Sequence, residues 1–153
     1  MAETTYIAIR TGIAAYITAN LDWAIATNTF DYSPIDAATV FGGLPAVIVD
    51  FDDMPIDFEQ AMLQGYERGV PILIEVYVEL IKDDDSGGRN ASQDIATKLG
   101  ELEVLFAEEP SIGGLVKGST IRAAKIESLA LQAVNLGVLV RWAWLALTVS
   151  AIS

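Results

Sequence analysis

Near the start of the chain apolar residues recur every fourth position, at Ile9, Ile13, Ile17 and Leu21, and Tyr6, Ala14 and Ala24 widen the stripe. That spacing lays one apolar face along a helix, predicted over 4–26. The run NTFDYSPID breaks the pattern with Asn28, Asp31, Ser33 and Pro34 and predicts a loop. Residues 46–50, between Pro45 and Pro55, are apolar and β-branched and end in acid, which predicts a strand. The stretch 58–66 fits a strand or a short helix, with strand preferred. From Ile72 the period falls to two. Ile72, Ile74, Val76, Val78 and Leu80 share one face, while Glu75, Tyr77 and Glu79 share the other, as in a strand buried on one side and partly wet on the other.

The segment KDDDSGGRN, all charge and glycine, reads as a turn or loop. A second helix follows, with Asn90 or Ser92 as its N-cap and Ile95, Leu99, Leu102 and Phe106 as its inward stripe. Gly100 weakens it and Pro110 marks its end. Gly113 and Gly114 suit a sharp exit from that helix where positive φ is required. Looser alternation over 120–133 predicts more strand, and Asn135, Leu136 and Gly137 mark a reversal into the final run. Helix, three strands, helix and two strands make a single α+β domain over 1–153: an antiparallel or mixed sheet with two main helices packed on one face.

The final run, LGVLVRWAWLALTVSAIS, admits a membrane helix, a buried core helix or a strand. A spanning helix takes roughly 20 apolar residues. This run is barely long enough, and Arg141 lies within it at a cost of about 2.5–3.5 kcal/mol in a bilayer. No basic cluster flanks it, and Val138, Val140, Trp142, Trp144, Thr148 and Val149 favour strands. At period two, Val138, Val140, Trp142, Trp144, Ala146 and Thr148 share one face, and Leu139, Arg141, Ala143, Leu145, Leu147 and Val149 the other. Both faces are mostly apolar, so the run is predicted to be a central strand covered on both sides. Two helices cover one side of the sheet. The other then needs a cover of its own, which points to a second copy or another protein.

Composition narrows the function classes. The net charge of −12 disfavours direct nucleic-acid binding, since the nine Lys and Arg residues are scattered rather than gathered in a patch. With no Cys and no His, thiol nucleophiles, zinc sites of the usual kind and a Ser–His–Asp triad are excluded. The opening MAETTYIAIRTG places Glu3 where a secretory leader carries basic charge. The remaining chemistry is acidic. DFDDMPIDFE gathers Asp50, Asp52, Asp53, Asp57 and Glu59, a set able to hold a hard cation or to serve as a solvated loop. Asp83, Asp85, Gly88 and Asp94 partly match a calcium loop, but Gly87 stands at the fifth position and Asp rather than Glu at the twelfth. SIGGLVKGS lacks the spacing of a phosphate loop. No catalytic constellation emerges, and no enzyme activity or cofactor is expected. A metal- or small-ligand-binding module built on the acidic loops is the alternative reading.

FAEEPSIGGLVKGSTI brings in a resemblance. A helix that ends in an acidic residue and proline, then a small turn of the form L-G-G-x-V and closing strands, resembles the tail terminator, or tail completion, proteins of tailed bacteriophages. Glu109, Pro110, Ile112, Gly113, Gly114 and Val116 stand at the matching positions, with Ile112 in place of the usual Leu and Glu109 in place of the commoner Asp. The element order over nearly the whole chain is similar too. The resemblance implies a non-enzymatic virion assembly protein, made in the host cytoplasm and carried in the virion. Its subunits would form a homo-oligomeric, six-fold ring that ends tail-tube polymerisation and receives the head–tail connector, with the tube and connector proteins as partners. No sequence-specific nucleic-acid contact and no membrane are implied. Exposed loops on a rigid sheet commonly carry binding. Asp52, Asp53 and Asp57, and Asp83, Asp84, Asp85 and Arg89, together with Arg141, are therefore the expected interface residues.

Overall fold

A computed structural model describes residues 6–24, 26–28, 45–52, 68–80, 89–127, 131–133 and 138–151. They form helices α1 (Tyr6–Asn20) and α2 (Arg89–Glu108) and strands β1 (Ala26–Asn28), β2 (Ala46–Phe51), β3 (Arg68–Leu80), β4 (Gly118–Ile126), β5 (Leu131–Ala133) and β6 (Val138–Ala151). The strands make one mixed sheet in the order β1-β2-β3-β6-β4, with β5 also paired to β6. Only β1 and β2 run parallel; the other pairs are antiparallel. The α+β arrangement is the expected one.

The terminal run is a strand and it lies inside the sheet. It pairs with β3 from Arg68↔Ala151 to Leu80↔Leu139 and, along its other edge, with β4 and β5. Its predicted faces are the observed ones. Ala143, Leu145, Leu147 and Val149 join the core cluster with Ile72, Ile74, Val76 and Val78 of β3 and Val47 and Val49 of β2. The two helices close this face. Ile9, Ile13, Ala14 and Ile17 of α1 and Ile95, Leu99, Leu102 and Phe106 of α2, the predicted stripes, are all buried in it. No helix among the described residues is long and apolar enough to cross a membrane.

The opposite face departs from expectation. Ala46, Ile48, Tyr77, Val140 and Ala146 lie on it and are buried within the single chain, while Leu73, Trp142 and Trp144 are half-buried. On β3, Glu75 is 8% and Tyr77 0% exposed, and of the three residues expected to be wet only Glu79 is. Alternation assigned the face correctly and its solvation wrongly, because nothing in a strand's own sequence says what lies over it.

The helix boundaries also shift. α1 ends at Asn20, short of the predicted 26: one further helical bond forms, from the Leu21 N–H to the Ile17 carbonyl at 2.9 Å, and the Ala24 N–H then returns to the Leu21 carbonyl at 3.1 Å in a turn. Ala26, expected to be helical, instead opens β1. α2 begins at Arg89, so Asn90 and Ser92 lie in its first turn and neither caps it. The strand predicted over 58–66 and the reversal at 135–137 lie outside the described residues.

Candidate functional site

β2 delivers its acids to one end of the sheet. Asp50 Oδ1 accepts from Arg10 Nη1 at 3.1 Å and from the Phe51 backbone N–H at 2.8 Å. The same guanidinium lies 5.1 Å from the centre of the Phe51 ring, and Tyr6 meets that ring edge-on at 6.4 Å. Asp52, one residue past β2, donates its N–H to the Pro71 carbonyl and takes Arg122 Nη2 on Oδ2 at 2.6 Å. Arg122 falls at the register shift between Ile121 and Ala123 of β4, an extra residue whose side chain is re-aimed by the bulge. Two ion pairs thus tie α1, β2 and β4 together at this end, bridging the two strands that lie between β2 and β4. Both carboxylates are neutralised by protein cations, a poor starting point for holding a metal. Among the described residues no group of three or more acidic side chains is placed to do so.

The expected interface residues do not gather in one place. Asp52 is at the β2 tip. Arg141 pairs in register with Val78, seven residues along β3 from Pro71, roughly 23 Å away at strand rise. It lies on the helix-covered face, half-buried, with Nε buried and lacking a hydrogen-bond partner. Arg89 opens α2. Asp53, Asp57, Asp83, Asp84 and Asp85 lie outside the described residues, as do Glu59 and Gly88. Asp94, the last position of the calcium-like loop, is a helix residue paired with Lys98 one turn on.

A cluster not singled out in the sequence lies on the second face. Tyr77 Oη donates to Glu75 Oε2, and the Tyr77 ring stacks on Trp142 with centroids 5.7 Å apart and planes within 6°. Trp144, opposite Glu75 in register, donates Nε1–H to Glu127 Oε1 at 2.8 Å, and Glu127 meets Lys125 at 3.5 Å. Burial pushes the Glu75 carboxyl up; the Tyr77 hydrogen bond pulls it down, and the charge of Asp50 adds to the rise. Burial and the adjacent Glu75 push the Tyr77 phenol up as well. The only available signal was a glutamate and a tyrosine two apart on an otherwise apolar strand, which an exposed face explains equally well.

The turn after α2 is the most constrained piece of backbone. Ile112, Gly113 and Gly114 all have positive φ, at 52°, 65° and 85°. The expected glycine exit is therefore present, and it extends to a β-branched residue that rarely adopts this conformation. Burial holds Ile112 there, since it and Val116 both enter the core. The Ser111 carbonyl accepts from the N–H groups of Gly114 and Val116, both at 3.1 Å. Leu115 packs so closely on Gly12 of α1 that a Cβ there would stand 2.7 Å from it. Lys117 N–H then bonds the Ser150 carbonyl at 2.9 Å and launches β4 along β6. One short turn joins α1, α2 and the central strand.

Set against protein-family models and curated proteins, the chain matches none.

Proposed function

We propose that this chain is a virion assembly subunit of a tailed bacteriophage, a tail terminator. It forms an oligomeric, six-fold ring on the tail tube, ends tube polymerisation and offers the surface on which the head connector docks. The turn from Glu109 to Val116 carries this reading. It is the segment in which the sequence resembles that family, and the positive φ of Ile112, Gly113 and Gly114 and the burial of Ile112 and Val116 give those four residues of the resemblance a physical task. The order around it, from an N-terminal helix through the 46–51 strand to α2 and the closing β4–β6 pair, supports the same reading.

Ring closure uses heterologous contacts, in which one surface of a subunit meets a different surface of the next. A stiff sheet with one end locked by the Arg10–Asp50 and Arg122–Asp52 ion pairs suits such a subunit. The acidic segments from Asp52 to Asp57 and from Asp83 to Arg89 then meet the tube and connector proteins, or line a lumen where they repel passing DNA. The metal-binding alternative is less favoured, because Asp50 and Asp52 are already matched by arginines. Electron microscopy of the purified protein mixed with tail tube protein tests the assignment. Rings seated on one end of length-limited tubes are expected; tubes that grow unchanged and uncapped contradict it. Charge reversal at Asp83 and Asp85 is expected to abolish head–tail joining while circular dichroism stays unchanged.

A further inference from the structure

The outer side of α2 carries a second stripe, distinct from the buried one. Gly100, Val104 and Leu105 of α2, with Leu21 just beyond α1, floor an open groove of about 570 Å³, rimmed by Glu101 and Glu108. Val104 is 54% exposed, a large apolar side chain left in water. Among the described residues nothing requires glycine at 100: a Cβ there would meet none of their atoms within 4 Å. Glycine in the middle of a helix is unfavourable. Where the fold does not require it, it leaves room for the close approach of something else.

The charges say what that something is. No basic residue stands in the last turn of α2, where the helix dipole is negative, and Glu108 and Glu109 add to it. Glu101 accepts a hydrogen bond from Trp23 Nε1, a neutral donor that leaves the carboxylate charge in place. Lys98 of the same helix is occupied by Asp94 and by the Trp23 ring at 5.2 Å. The groove is thus an apolar floor within a negative rim. A second copy of a chain with 9 basic and 21 acidic residues brings the wrong charge.

We propose that this groove docks a cationic amphipathic helix of a different protein, its apolar ridge over Gly100 and its Lys or Arg side chains on Glu101, Glu108 and the negative end of α2. Occupancy of the groove does not depend on whether the chain forms rings.

Two synthetic peptides of about 18 residues, five helical turns, test it. Both carry Leu at helical spacing; one has Lys at the flanking positions and the other Glu. The Lys peptide is expected to shift the amide resonances of Thr97, Gly100, Val104 and Glu108, and the Glu peptide to leave them unmoved. Gly100→Leu fills the groove and is expected to weaken binding at least tenfold with the thermal midpoint unchanged or raised. Glu108→Lys is expected to weaken it several-fold. Shifts spread over the acidic surface, equal binding of both peptides, or an unchanged affinity in Gly100→Leu each overturn the assignment. So does self-association that Gly100→Leu abolishes, which places a second copy in the groove instead.

Discussion

Glu75 sits among apolar neighbours with Tyr77 as its hydrogen-bond donor, and its folded-state pKa is raised above the ordinary 4.5. The folded protein therefore holds this proton to higher pH than the unfolded chain does. Stability linked to the group is full below about 4.5 and declines as pH rises through the folded value. Glu75→Gln keeps an acceptor for Tyr77 and removes the titration. Urea unfolding from pH 5 to pH 8 is expected to show the wild type losing stability relative to Glu75→Gln, the two curves approaching each other in acid. Parallel curves would mean that Glu75 titrates as it does in the unfolded chain. Gly114 offers a separate test of backbone conformation. Its φ is +85° and a Cβ would meet nothing, so Gly114→Ala is expected to cost about 1 kcal/mol, from the left-handed conformation alone. Equilibrium unfolding measures it.

At the scale of elements, the inward stripe of α2 carries the packing against the sheet. Leu102 is fully buried, and Leu102→Ala is expected to cost about 2–5 kcal/mol by chemical denaturation. β6 is the element the rest is built around, and Arg141 is its one charged residue. Its Nε is buried without a hydrogen-bond partner, a desolvation cost that a methionine of similar length avoids. Arg141→Met is expected to be neutral or stabilising by about 1 kcal/mol. These elements were legible because their periodicity is long. Five apolar residues on each face of β6, or four on one face of α2, leave little freedom in how the chain is buried. β1 was not legible, since three residues show no period, and Ala26 was absorbed into the helix before it. The Glu75–Tyr77 pair and the Arg10–Asp50 and Arg122–Asp52 ion pairs were hidden for another reason. Their partners lie 40 and 70 positions apart or depend on what covers a face, and only the register of the sheet brings them together.

For the molecule as a whole, the single chain already buries much of the second sheet face, through Ala46, Ile48, Tyr77, Val140 and Ala146. Assembly therefore does not rest on a wholly bare sheet. In the proposed ring the contacts would be left to the sheet edges, the acidic segments and the half-buried Trp142 and Trp144, a smaller and more polar surface than a bare sheet face. Native mass spectrometry of the purified protein, alone and with tail tube protein, tests the assembly claim most directly. A closed oligomer of six copies, present alone or formed when tube protein is added, is the predicted result; a monomer at every concentration under both conditions contradicts it.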